Sequence, residues 1–133
     1  ILDLGLFPIV LGGGHEIAFG HFNGLKQFLA KEQNPNNPGI INFDAHFDMR
    51  PYDQGPNSGT MFRQIADMNE KEQKNFNYFV LGIQKYSNTL SLFKKAEKHG
   101  VEYVLARDIK PEKDIVHLPA HRFPGVIIPQ HIE

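Results

Sequence analysis

Short apolar runs alternate with longer amphipathic stretches along this chain, and that alternation constrains its fold more than any other feature. Residues 8–11, 39–43, 78–83 and 101–106 are brief and rich in Ile, Val, Leu and aromatics, as strands are. Between the first two, residues 15–31 carry Ile17, Ala18, Phe22, Leu25, Phe28 and Leu29 at three- and four-residue steps, the spacing of one helical face. Residues 60–75 repeat that pattern through Met61, Phe62, Ile65 and Met68. A third helix is expected over 89–99, capped by Ser87 or Asn88 and ended by Gly100. Lys94, Lys95 and Lys98 then sit near the negative end of its dipole. Strands separated by helices pair in parallel, so the expected fold is α/β, a three-layer α/β/α sandwich around a parallel sheet. In such folds function gathers in the loops at the carboxyl ends of the strands.

Composition narrows the possible partners. Fourteen basic residues stand against 15 acidic ones, a formal net charge of -1, so nothing drives the chain toward nucleic acid or an anionic membrane. No run approaches the roughly 20 apolar residues of a membrane helix. Residues 1–11 are apolar but lack the basic flank and cleavage site of a secretory signal. Neither nucleic acid nor a membrane is therefore the expected partner. Absence of cysteine excludes disulfides, thiolate metal sites and cysteine nucleophiles. Seven histidines are the compositional oddity, since imidazole both ligates metals and carries protons near neutrality. The 133 residues, 41% of them hydrophobic, suffice for a core, yet the chain starts at Ile1 rather than Met. The expectation is a piece of a longer domain.

Two motifs fall where a parallel sheet places function. Asp44, Ala45, His46, Phe47 and Asp48 continue directly from the second apolar run. If the extended backbone persists, Asp44, His46 and Asp48 form one row, with Ala45 and Phe47 facing the other way. Two carboxylates held that close repel, and a divalent cation removes the cost. Mixed oxygen and imidazole donors suit Mn²⁺, with Zn²⁺, Fe²⁺ and Co²⁺ as competitors. The second motif is Gly12, Gly13, Gly14 and His15, between the first apolar run and the first helix. Such a turn can cradle phosphate, but it has neither the G-x-G-x-x-G spacing nor a G-K-[ST] ending. The alternative is that the glycines bring His15 to the acidic row as a further ligand.

Together, in this order and separation, the two motifs resemble the ureohydrolase family of arginases, agmatinases and formimidoylglutamases. The run Ser58, Gly59, Thr60, Met61, Phe62 and Arg63 matches as well, and the likeness spans about residues 8–108. The resemblance implies an α/β/α sandwich and a binuclear manganese centre. Within it, His15, Asp44, His46 and Asp48 correspond to metal ligands: Asp44 bridging the ions, His15 and Asp48 serving one, His46 the other. It also implies metal-dependent hydrolysis of a linear amidine C–N bond, by a hydroxide that Asp44 and Asp48 help to hold, in a homo-oligomeric parent.

The Ser-Gly-Thr-x-Phe-Arg pattern resembles the formimidoylglutamase branch, which releases formamide and L-glutamate in histidine degradation. Agmatinase-like members place a histidine before the Gly-Thr pair, and here that position is Ser58. Ser58 and Arg63 are the expected substrate-binding residues, since a guanidinium grips a carboxylate with two hydrogen bonds. Departures from the family are equally clear. Members are much longer and add two aspartates from a later Asp-x-Asp motif, which Asp108 and Asp114 are too far apart to replace. Residues 121–133 do not resemble the family's continuation, and the piece alone is expected to be inactive. Two rivals remain: an agmatinase or other guanidino hydrolase, and a non-catalytic α/β interaction module.

Overall fold

A computed structural model of the chain describes residues 1–110. Asp114, His117, His121 and His131, and the expectation of a solvated tail, lie outside them. The chain divides into two compact units, one formed by Ile1–Pro38 and Asp48–Asn75, the other by Gly39–Phe47 and residues 76–110.

The second unit holds the sheet. β1 (Ile40–Phe43), β2 (Tyr78–Ile83) and β3 (Glu102–Leu105) lie in the order β1-β2-β3. Both pairings are parallel, with Ile40 opposite Tyr78 and Phe79 opposite Glu102. This is the α/β architecture that the alternation of short and long runs anticipates. Five of the six β2 residues are buried, so its sequence is apolar without alternation, as a central parallel strand requires. Phe79 and Leu81 form a core cluster with Ile41 and Val104 on one face. α3 (Leu90–Lys98) joins β2 to β3. Its cap is Thr89, whose hydroxyl accepts from the Leu92 amide at 3.4 Å; the expected caps, Ser87 and Asn88, do otherwise. Ser87 closes a short 3-10 turn, and Asn88 has a larger task described below. Gly100, at φ 67°, ends the helix as expected.

In the first unit, α1 (Ile17–Lys31) and α2 (Met61–Lys71) form where the apolar spacing places them. Lys26 of α1 donates to Glu72, the residue that ends α2, at 2.5 Å, and this bond holds the Glu72 carboxyl below its ordinary range. Thr60 precedes α2 fully buried, its Oγ1 accepting from the Asn57 amide at 2.9 Å and from Gln64 Nε2 at 3.0 Å.

One expected strand is missing. Residues 8–11 are irregular, and residues 7–13 make no backbone hydrogen bond among the described residues. Strand composition supplies a preference, whereas a strand needs a neighbour to pair its amides and carbonyls. Without one this run stays unpaired and solvated, with Phe7 85% and Leu11 87% exposed. No helix among the described residues is long and apolar enough to cross a membrane.

Candidate metal centre

In the first unit, Gly12 and Gly13 adopt φ of 90° and 76°, values that residues with a Cβ rarely take. They turn the chain into α1 and deliver His15. Its Nδ1 lies 2.7 Å from Oδ2 of Asp48, a residue 33 positions later. The imidazole stands edge-on to Phe62 of α2, with ring centroids 5.5 Å apart, so α2 fixes the ring plane. The Asp48 side chain is only 8% exposed against 36% for His15, leaving the histidine as the solvent-facing member. A carboxylate at this turn makes a surrounding suited to a cation rather than to phosphate.

Along residues 44–48 the backbone does not stay extended, and the expected row does not form. Asp44 Oδ1 accepts from the amide of His46 at 2.8 Å, an Asx-type turn that bends the chain just after β1. Asp48 departs further, at a left-handed φ of 48°. An extended backbone cannot persist through residues whose own side chains bind nearby amides. What the turn gives instead is a close pair, with His46 Nδ1 3.3 Å from Asp44 Oδ1.

Three supports hold that turn within its unit. Phe47 is fully buried, edge-on to Phe93 and Tyr103 at 5.1 Å each. Its carbonyl accepts from the hydroxyl of Tyr78, which itself accepts from Asn42 Nδ2. Asn88 is the third support. Its Nδ2 donates to the carbonyls of Ala45 at 2.8 Å and Gln84 at 2.9 Å, and its Oδ1 accepts from the Phe47 amide at 3.1 Å. Gly82 completes the approach: at φ 106°, in a bulge of β2, a Cβ there would stand 3.3 Å from the Asp44 carbonyl oxygen. Asn88 carries no local sequence signal for this role. A glycine inside an apolar strand run is the one hint, since it marks a bulge or a close backbone approach.

Ser58 and Arg63 flank the start of α2. Ser58 is exposed in the turn before it, and Arg63 is half-buried in its first turn, with Nε 2.8 Å from the Asp67 carboxylate. That carboxylate also accepts from Tyr52 Oη at 3.0 Å. Burial first, then the Asp67 bond, pushes the Tyr52 phenol above its ordinary value, so it stays a donor. Among the other histidines, His21 is half-buried in α1 and His99 ends α3. Tyr86 is fully exposed.

A model of the arginase family matches residues 1–119. The chain belongs to the arginase family. A formimidoylglutamase of Clostridium tetani is 57% identical over 110 residues, covering 82% of this chain and 32% of that protein. The crystal structure of formimidoylglutamase from Bacillus subtilis is 30% identical, covers 74% of this chain and 28% of that one, and has a TM-score of 0.56. A variant of Trypanosoma cruzi formiminoglutamase solved with Mn²⁺ is 25% identical, with a TM-score of 0.71 over 90% of this chain and 38% of that one. This arginase-family chain spans about a third of the length of the curated relatives it matches.

The donors pass a chemical test for a divalent ion. Two ligand atoms bound at right angles to one cation, each about 2.1 Å from it, stand about 3 Å apart. The His15–Asp48 contact at 2.7 Å and the Asp44–His46 contact at 3.3 Å both lie near that spacing. Carboxylate and imidazole donors without thiolate suit Mn²⁺ and its borderline neighbours.

Proposed function

We propose that this chain carries part of a cytoplasmic, manganese-dependent formimidoylglutamase, hydrolysing N-formimidoyl-L-glutamate to formamide and L-glutamate in histidine degradation. The observation that carries the reading is the His15–Asp48 pair, two motifs 33 residues apart meeting in one donor set. Family membership and the formimidoylglutamases it resembles support the substrate. In this reading His15, Asp44, His46 and Asp48 would be the residues that hold Mn²⁺, and the close pairs His15–Asp48 and Asp44–His46, each within its own unit, support that reading. Zn²⁺, Fe²⁺ and Co²⁺ satisfy the same donor chemistry. When bound, the ions supply the positive charge that brings the pKa of water toward neutrality.

The chain's own groups do the rest. Water oxygen joins the formimino carbon, the bond from that carbon to the glutamate nitrogen breaks, and that nitrogen takes a proton as it leaves. Asp48, nearly buried against His15, keeps its carboxylate oriented by the imidazole. Ser58 and Arg63, beside the start of α2, bind the glutamate portion, Arg63 through a carboxylate.

The test uses protein expressed from its complete reading frame and loaded with Mn²⁺. Formamide and glutamate should form one to one from N-formimidoyl-L-glutamate; urea from a guanidino substrate, without formamide, overturns the reading. Arg63→Ala should raise KM about 10- to 100-fold, the loss of a charge-assisted pair, with Mn²⁺ affinity intact. An unchanged KM removes Arg63 from substrate binding.

A further inference from the structure

We propose that Asp67 is a positioning residue for substrate recognition, holding the Arg63 guanidinium so that its two terminal nitrogens meet a substrate carboxylate end-on. The inference rests on the formimidoylglutamase reading above and names what sets its substrate class. Arginine binds a carboxylate either along its Nε edge or between its two terminal nitrogens, both of them planar two-bond contacts. Asp67 occupies the first edge, at 2.8 Å from Nε. Only the terminal pair is then left for a ligand.

Asp67 is itself fixed from a second side. Tyr52 Oη donates to its carboxylate at 3.0 Å, so the aspartate sits between a phenol and a guanidinium. Both members of the ion pair are largely covered, with side chains 20% and 19% exposed. A surface pair of two free-swinging side chains positions nothing; in this one Tyr52 anchors the aspartate and both side chains are largely covered.

The direction of the pair argues against a role confined to helix stability. Arg63 lies in the first turn of α2 and Asp67 one turn later. Helices favour the reverse, with the acid nearer the positive N-terminus and the base downstream. A pair placed to stabilise α2 would run the other way. What this order gains is a cation at the start of the helix, beside the Ser58 turn, with its orientation set from behind.

Steady-state kinetics on the Mn²⁺-loaded protein from the complete reading frame test the inference. Asp67→Asn keeps the shape and removes the charge. KM for N-formimidoyl-L-glutamate should rise about tenfold, with kcat within about threefold and the bound Mn²⁺ count unchanged. Asp67→Glu should recover part of the loss. In the double variant of Arg63→Ala with Asp67→Asn, KM should equal that of Arg63→Ala alone, because nothing is left to position. Wild-type KM in Asp67→Asn, or a double variant in which the two effects multiply, overturns the inference while leaving the functional reading intact. Wild-type protein that releases no formamide overturns the reading and the inference with it.

Discussion

Asn88→Ala should lower the unfolding free energy by about 3 kcal/mol, three net hydrogen bonds at about 1 kcal/mol each. The same change should weaken Mn²⁺ binding by about 10- to 100-fold, the usual cost of losing a group that orients metal ligands. Asn88 is 8% exposed and joins two carbonyls and one amide that no other side chain serves among the described residues. Its truncation leaves the Phe47 amide without its partner, and the Ala45 carbonyl with the Gln84 amide alone, at the turn that carries Asp44 and His46. Asn88→Asp provides the sharper control. Nearly identical in shape, it still accepts from the Phe47 amide but turns an anionic oxygen toward the Ala45 and Gln84 carbonyls. At neutral pH it should be at least as damaging as alanine, and it should recover partly in acid, where a protonated carboxyl can donate once. Urea unfolding and calorimetric Mn²⁺ titration read the two effects. Unfolding within 0.5 kcal/mol of wild type, about the scatter of surface substitutions, would show that the clamp does not matter.

Gly82→Ala should cost about 1–3 kcal/mol and, separately, displace Asp44. Its backbone at φ 106° suits glycine, and the added Cβ meets the Asp44 carbonyl oxygen at 3.3 Å, so a main-chain atom must yield. Gly100→Ala separates the two causes. Gly100 has φ 67° and nothing within 4 Å of a built Cβ, so alanine there suffers backbone strain alone. Both variants should unfold more easily, but only Gly82→Ala should lose about tenfold in Mn²⁺ affinity. Equal affinities in the two would detach Gly82 from the metal site.

The elements were legible because each is written locally. Apolar spacing marks α1 and α2, and β2 matches its expected span of residues 78–83 without a shift. Pairing is not written locally. Residues 8–11 have the composition of a strand and no partner among the described residues, so composition misleads there. That the two motifs come together was also legible: His15 and Asp48 meet although 33 residues separate them. Their shape was not, because an alternation rule holds only while the backbone stays extended. Asp44 ends that state by binding the His46 amide with its own side chain. Asn88 was hidden for another reason. Two of its three partners lie 41 and 43 residues earlier, and beside a predicted helix start an asparagine reads as a cap.

Asp48 sits at φ 48°, wound against the hand that side chains prefer, at a cost of roughly 1–2 kcal/mol. Glycine would relax that backbone and leave His15 without its carboxylate. Stability and chemistry therefore pull this position in opposite directions. Under the proposed metal-binding role, a directed-evolution screen that rewarded heat resistance alone would tend to erase Asp48, and the survivors would be sturdier proteins without the His15–Asp48 pair.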